Sequence, residues 1–233
     1  MRLLAAVWFS VCIFLLSACK KEDENAFIGI RIKTLTDEGS GFSSTFNYDG
    51  NGRVASIHSN NNADDIFTYS ANCANEHYTH SASNTDWTVC HELNPQGYSQ
   101  GSFGDDNFYD TDGYLIEIYH NDSLSPSITA FTITSGNVTL KKDSSIGAPS
   151  SNNIFYEYDL GKLNTTGNEN YGMVYNGKSS TNLVSRELTV NHYGDTVAVN
   201  PHTYNFDGMN RVVSRKTFNN LGGLIEHLTY TYY

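Results

Sequence analysis

Four stretches of this 233-residue chain decide its fold: YDGNGRV at 48–54, YDTDGYL at 109–115, FDGMNRV at 206–212 and FNNLGGL at 218–224. In each, an aromatic residue precedes Asp or Asn, Gly or Asn follows three residues later, and an aliphatic residue closes the stretch. Asp or Asn opens a type I turn by accepting backbone N–H bonds, and Gly or Asn at its end tolerates a positive φ. The flanking aromatic and aliphatic residues then pair across two strands. Each stretch therefore predicts a β-hairpin.

Two further segments suit turns: YDLGKL at 158–163, one residue shorter than the others, and Ser135-Gly136-Asn137. Apolar and polar residues alternate with a period of two along most of the remaining chain, which predicts strands. They are 28–33, 42–48, 66–70, 76–80, 87–92, 114–120, 127–134, 137–142, 154–158, 184–190, 195–199, 202–206, 211–218 and 224–232. The final strand should dock in the sheet, because a free edge of this composition would aggregate.

We therefore predict an all-β fold with little helix after the signal peptide. It is an antiparallel meander of about a dozen or more strands, curved into an open barrel or a wrapped sheet. We see no internal linker and assign residues 26–233 to a single β domain.

The composition agrees with this fold and excludes several classes of protein. The chain contains 26 Asn, 19 Gly, 16 Tyr and 12 Phe, which favour turns and strands, and few strong helix formers after the signal peptide. This argues against a helical bundle and against an alternating α/β enzyme. A formal net charge of -11 argues against a nucleic-acid partner.

Residues 1–18 have the organisation of a lipoprotein signal peptide. Arg2 is a short basic region, residues 3–16 are mostly apolar, and Leu16-Ser17-Ala18-Cys19 resembles a lipobox. An ordinary signal peptide would not require Cys at this position, and the apolar region is short for a membrane-spanning helix. We predict cleavage before Cys19 and lipidation of its thiol, which would make the membrane a partner of the protein.

Residues 19–25 form a lipidated polar tether. Its order, with Lys20 and Lys21 before acidic residues, resembles the export signal of Bacteroidota lipoproteins. The resemblance implies a protein anchored by lipid in the outer membrane and facing the cell exterior, with the periplasmic side as the alternative.

The four cysteines have separate predicted fates. Cys12 leaves with the signal peptide and Cys19 carries the lipid, so an even pair remains in an oxidising compartment. We predict a structural disulfide between Cys73 and Cys90. The chain between them can fold back near Ser81, which would place the two cysteines directly opposite each other on neighbouring strands.

Two clusters leave a metal site as an alternative. The first is His77, His80 and His91, but His77 and His80 are three apart on a strand and point to opposite faces. The second is 110–113, which resembles the start of a calcium loop and lies near Asp105 and Asp106. That segment lacks the Glu and the helices of such a loop, and a turn explains it. We therefore predict no metal and no cofactor.

Two patterns could carry hydrolytic chemistry. Residues 97–101 match G-x-S-x-G around Ser99, but the strand and helix that this elbow needs are missing. A glycosidase needs two carboxylates in a cleft. The acids on predicted strands cannot be paired from the sequence and suit a solvated outer face; they are Glu117, Glu157, Glu187 and Glu226. We predict no catalytic residues, although two close, partly buried carboxylates in a concave cleft would favour a hydrolase.

The aromatic residues could offer a platform for a glycan or a peptide, although packing on the concave side explains most of them. Trp87, beside the predicted disulfide, is the candidate for ligand stacking, with core packing as the alternative. Asp122-Ser123-Leu124 and Asp195-Thr196-Val197 resemble the O-glycosylation motif of secreted Bacteroidota proteins.

Most of the mature chain resembles a family of short Bacteroidota lipoproteins of unknown function with a porin-like fold. The matching features are the lipobox at Cys19, the hairpins at Tyr48 and Tyr109, the turn at Ser135, YEYD at 156–159 and the last F-D-x-x-N-R-V hairpin. The hairpins also resemble the YD repeat of Rhs-type shell proteins, but the copies are too few and too scattered for such a shell. The resemblance implies a many-stranded antiparallel β fold and brings no catalytic residues.

Anchor, tether and turn-rich domain together predict an outer-membrane lipoprotein that acts as a non-enzymatic binding or accessory module. Its ligand, a glycan or a protein, is unknown. The alternatives are a surface hydrolase of a polymeric substrate such as a glycan, and a purely structural component of the envelope.

Overall fold

The computed structural model describes residues 30–101, 104–121, 125–145 and 152–233, which form one antiparallel sheet of 15 strands. The strands are β1 (Ile32–Asp37), β2 (Phe42–Tyr48), β3 (Val54–Ser59), β4 (Ala63–Tyr69), β5 (Cys73–His80), β6 (Thr85–Glu92), β7 (Asp105–Tyr109), β8 (Leu115–His120), β9 (Ser127–Thr134), β10 (Asn137–Ser145), β11 (Asn152–Leu163), β12 (Asn182–Asn191), β13 (Thr196–Phe206), β14 (Val212–Phe218) and β15 (Leu224–Tyr232). The predicted all-β meander is confirmed.

The order across the sheet is β6-β5-β4-β3-β2-β1-β15-β14-β13-β12-β11-β10-β9-β8-β7. The last strand lies between β1 and β14, so its predicted docking is confirmed and β6 and β7 are the two edges. Within the described ranges the helical structure is a single 3-10 turn, Val174–Asn176, and no helix there is long and apolar enough to cross a membrane.

The predicted hairpins form because an Asp or Asn side chain bonds the backbone of the turn. Asp49 Oδ1 accepts the N–H groups of Asn51 and Arg53, both at 2.9 Å, and Asp49 Oδ2 accepts from Arg53 Nε at 2.9 Å. Asp207 and Arg211 repeat this arrangement before β14. All four hairpins also have a register shift at the aromatic residue, the bulge expected for such turns.

Two more turns use the same chemistry and were not predicted. Asn94 Oδ1 accepts the N–H groups of Gln96 and Tyr98, both at 3.0 Å. Asn191 Oδ1 bonds the residues two and four positions later in the same way. Aliphatic residues precede both, so the aromatic signal was absent, and Asn-x-x-Gly was the only remaining mark in the sequence.

The predicted turn at 158–163 is wrong, because the segment continues β11. Its Asp159 side chain still accepts the Gly161 N–H, but the result is a register shift rather than a reversal. The prediction also split β13 at Pro201, which the strand incorporates opposite Arg186. It did not include β3 and β7, because their short polar sequences lack a clear alternation.

Tyrosines hold neighbouring strands together at one end of the sheet. Each of five hydroxyls donates to a backbone carbonyl near the start of the preceding strand. The pairs are Tyr48 with Ile32, Tyr69 with Val54, Tyr158 with Val138, Tyr204 with Val184 and Tyr232 with Val212. Burial raises the pKa of Tyr232 to about 12, so this hydroxyl stays a donor at neutral pH.

The connection between β11 and β12, residues 164–181, shows that the sheet is wrapped; we name it the closing loop. Its carbonyls at Gly172 and Tyr175 accept the N–H groups of Val54 and Ser99 at 3.0 and 2.7 Å, and its Lys178 N–H donates to Gly113 at 2.8 Å. Val54 begins β3 and Gly113 follows β7. In a flat sheet these two strands would lie about 50 Å apart. One short loop can reach both only if the sheet curls around it.

The core lies where the closing loop meets the first residues of the strands. Ile32, Val54 and Val212 are fully buried there, and Tyr175 of the loop is 5% exposed. The apolar packing is therefore concentrated at this closed end, and the rest of the inner face is free to carry polar side chains.

Candidate functional site: the polar inner face

The register identifies the inner face of the wrapped sheet. Phe46, Ile57, Asp65 and Tyr78 lie directly opposite one another on successive strands and so share a face. Phe46 and Ile57 are buried, so this is the inner face. Three clusters of ionisable residues lie on it.

The first cluster is an acid pair on β4 and β5. Asp65 and Glu76 are diagonal neighbours on the inner face, and Glu76 Oε2 is 2.8 Å from His91 Nε2. Burial first, and then the charge and hydrogen bond of Glu76, raise the pKa of Asp65 to about 6. The ring of His91 stacks on Tyr175 of the closing loop at 5.4 Å. The pair is therefore built into the packing at the closed end.

The second cluster, which we name the His120 network, runs across β7 to β10. His120 Nδ1 is 3.0 Å from Asp105 Oδ1, and its Nε2 is 3.2 Å from Thr129 Oγ1. Thr129 in turn donates to Asp143 at 2.7 Å, and Lys141 lies 3.4 Å from the same carboxylate. The side chain of His120 is 34% exposed, so this imidazole lies next to solvent as well as next to its neighbours in the network.

The third cluster, the His202 network, repeats this order across β12 to β15. His202 Nε2 is 3.4 Å from Glu187 Oε1, and Nδ1 is 3.0 Å from Thr217 Oγ1. Thr217 donates to Glu226 Oε2 at 3.2 Å, and Arg215 donates to the same oxygen at 2.6 Å. In both networks the contacts therefore run in the same order, from an acid through His and Thr to a second acid that a cation pairs with.

The structure confirms the disulfide between Cys73 and Cys90, but not their predicted positions. Cys73 lies opposite Glu92, and Cys90 lies opposite Asn75, so the bridge connects diagonal neighbours on β5 and β6. The turn at 81–84 does reverse the chain where it was predicted. The error was one of register, which the two cysteine positions do not fix.

The three histidines near the disulfide have separate partners. His77 is 3.0 Å from Thr88 Oγ1, His80 is 2.7 Å from Ser83 Oγ, and His91 is bound to Glu76. In the part of the chain that the structure describes, no group of three or more His, Cys, Asp or Glu residues is placed to hold a metal ion.

The residues of the other predicted motifs serve the fold. Ser99 is 3% exposed in an extended connection, where its Oγ accepts from Gly101 N at 3.2 Å. Asp110 Oδ1 bonds the turn at Asp112 N and Tyr114 N, both at 2.9 Å, as the turn interpretation predicted.

The strand glutamates divide between the two faces. Glu117 and Glu157 are on the outer face, the latter paired with Arg186, as predicted. The outer-face interpretation is wrong for Glu187 and Glu226, which lie on the inner face. The sequence could not distinguish them, because register shifts interrupt the alternation on both strands.

Trp87 lies on the inner face of the edge strand β6, stacked on Tyr78 at a ring distance of 5.1 Å. It remains 36% exposed, so it is only partly packed into the core. Thr196 of the second O-glycosylation motif is exposed at the start of β13. Cys12, Cys19, the tether at 19–25 and the first O-glycosylation motif at 122–124 lie outside the described residues.

No family model matches this chain, and no curated protein matches it. Among solved structures, it is similar to a porin-like protein from Bacteroides uniformis, with 13% identity, a TM-score of 0.58, and 87% of this chain and 96% of that chain covered. A porin-like protein from Bacteroides vulgatus shares 12% identity with a TM-score of 0.40, over 87% of this chain and 99% of that one. The first similarity shows that the fold is that of a porin-like protein.

Proposed function

We propose that this protein is an outer-membrane lipoprotein, anchored at Cys19, whose wrapped sheet binds a ligand on its polar inner face without catalysing a reaction. The observation that carries the proposal is the exposure of charged side chains on that concave surface. Asp105, Glu187 and Glu226 keep 42, 33 and 38% of their side-chain area exposed. Charged groups of this kind on a concave surface are suited to holding a polar ligand.

The position of the first described residues gives the proposed anchor a direction. Arg31 precedes β1 and donates to the carbonyls of Gly52 and Glu169, at 2.9 and 3.2 Å, both at the closed end. The tether would therefore join the domain at its closed end. The opposite end, formed by turns such as 59–63 and 191–196, would then face away from the membrane.

Membrane fractionation tests the anchor. Cells would express the full chain or Cys19→Ala and be labelled with a radioactive fatty acid. We expect label and membrane association with the full chain, and neither with Cys19→Ala. The matched control is Cys12→Ala, which should keep both because the predicted cleavage removes it. Equal labelling of the Cys19→Ala protein would overturn the anchor.

The Asp65–Glu76 pair favours a second candidate function, a hydrolase, because it provides two close, partly buried carboxylates. The two acids of a glycosidase stand at least about 5 Å apart with the substrate between them. Here the charge and hydrogen bond of Glu76 contribute to the raised pKa of Asp65, and Glu76 is bonded to His91, which argues against a glycosidase. Glycosidase activity lost in both Asp65→Asn and Glu76→Gln would establish the hydrolase, and an inactive wild-type protein would favour the binding module.

A further inference from the structure

We propose that the His202 network is a binding site for a neutral polyhydroxylated ligand, such as one sugar unit, an inference that rests on the proposed binding function and specifies its ligand class. The two networks differ in the burial of their histidines. The side chain of His120 is 34% exposed, and neither of its ring nitrogens is both buried and without a hydrogen-bonding partner. In the His202 network, two buried nitrogen atoms have none among the described residues: His202 Nε2 and Arg215 Nε.

The environment of His202 makes the missing hydrogen bond at Nε2 significant. Its side chain is only 5% exposed, and Nε2 faces Glu187 Oε1 at 3.4 Å without forming a hydrogen bond. Buried polar atoms in folded proteins are almost always paired, since an unpaired one costs free energy. Two such atoms on adjacent strands of one network therefore mark a place where an outside group would complete the bonding.

The donors and acceptors of the network define that group. Thr217 donates its hydroxyl hydrogen to Glu226, so His202 Nδ1–H must donate to the Thr217 oxygen. In a neutral imidazole this leaves Nε2 as an acceptor, directed at another acceptor on Glu187. Arg215 Nε, in contrast, is a donor. The site therefore needs two donated hydrogens and one accepting oxygen.

Only one of three common ligand classes meets all of these needs. An anion offers only acceptors and is repelled by the carboxylates of Glu187 and Glu226. A cationic amine offers only donors and leaves Arg215 Nε unpaired. Neighbouring hydroxyl groups can donate to Nε2 and to Glu187 and can accept from Arg215, because each hydroxyl both donates and accepts. The chemistry therefore selects a polyol.

Two aromatic residues flank the site and fit the same class. Tyr156 lies directly opposite Glu187, and Tyr204 lies directly opposite Arg215. Both rings are partly exposed, and Tyr204 holds its hydroxyl on the Val184 carbonyl, 2.7 Å away. Burial, followed by the charge of Glu187, raises the pKa of Tyr156 to about 12, so its ring stays neutral. Neutral rings of this kind can pack against the apolar face of a pyranose.

The test follows the imidazole signals of the full-length protein by nuclear magnetic resonance, in a zwitterionic detergent without a sugar headgroup. The probes are the methyl α-pyranosides of glucose, galactose and mannose, with acetate and methylammonium as charged comparisons. We expect at least one pyranoside to shift the His202 Nε2 signal and to leave the His120 signals unchanged. Acetate and methylammonium should shift neither histidine. A His202 signal that stays fixed with all three pyranosides, or that moves equally with acetate, would overturn the proposal.

Two variants and one control sharpen the result. His202→Gln should weaken the binding of that pyranoside at least tenfold, and Arg215→Lys should do so as well, since it keeps the charge beside Glu226 but removes Nε. The matched control, His58→Gln on the outer face of β3, should leave affinity unchanged. Thermal melting confirms that each variant is folded, and equal losses in the His58 and His202 variants would contradict the assignment.

The outcomes separate this site from the proposed function. A pyranoside that shifts the His120 signals but not those of His202 would refute the site and keep the binding function. A His202 shift in a protein that carries no lipid would keep the site and refute the anchored function. If no probe moves any inner-face histidine, the site is refuted, and the binding function then depends on a different ligand class.

Discussion

Replacing Asp65 by Asn should stabilise the protein at neutral pH and have little effect in acid. Burial and Glu76 raise the pKa of Asp65 from its ordinary 3.8 to about 6. A group whose pKa is higher in the folded state contributes stability that is full below pH ~4 and lost as pH rises through about 6. The rise corresponds to at most about 3 kcal/mol. Since Asp65 is only half-buried, solvent screening reduces the expected gain to about 1 kcal/mol.

Urea unfolding of the two proteins at pH 4 and pH 7.5 measures this gain. Asn resembles the protonated acid and can donate an N–H to Glu76, so the variant should be about 1 kcal/mol more stable at pH 7.5 and nearly equal to wild type at pH 4. Asp106→Asn, an exposed carboxylate on the outer face of β7, is the matched control and should change neither value. A gain of the same size at both pH values, or a loss at pH 7.5, would refute the reasoning.

Three further predictions concern the fold. Replacing Cys73 and Cys90 by Ser opens a loop with a sequence separation of 17 and should lower the free energy of unfolding in urea by about 3 kcal/mol; a wild-type protein that dithiothreitol leaves equally stable would contradict this. Tyr175→Ala should cost about 3–5 kcal/mol and speed hydrogen exchange at the Ser99 amide, which bonds the Tyr175 carbonyl, whereas Tyr175→Phe should retain most of the stability. Asp207→Ala should lower the melting temperature more than Asp207→Asn, which keeps the acceptor for the turn; equal losses would show that the turn bonds do not matter.

The sequence was most informative where the chemistry is local. A side chain such as Asp49 bonds backbone groups two and four residues away, so its role is visible in a single short stretch. The turns at Asn94 and Asn191 obey the same rule, but they were not predicted because an aliphatic residue, and not an aromatic one, precedes each of them. A less restrictive pattern would have found both.

The inner-face networks could not be predicted, because they depend on register over several strands. A single bulge moves the side chains beyond it from one face to the other, and both β12 and β15 contain a register shift. Glu187 and Glu226 were for this reason assigned to the wrong face. The closing loop was missed for a related reason: its bonds to Val54 and Ser99 join residues more than a hundred positions and more than seventy positions apart, respectively, and no local pattern encodes them.

The edges of the sheet show why the wrapping matters for more than shape. An open sheet leaves two rows of unpaired backbone groups that invite other chains to pair. Here the connection between β6 and β7 brings the two edges together: Gln100 N donates to Glu92 O at 2.7 Å, and Gln100 O accepts from Asn107 N at 2.8 Å. The closing loop fixes this connection through its bond to Ser99, directly before Gln100. If the closing loop no longer packs against the sheet, both edges and the core should become exposed. A variant such as Tyr175→Ala should therefore aggregate through strand pairing while most of its hairpins remain intact.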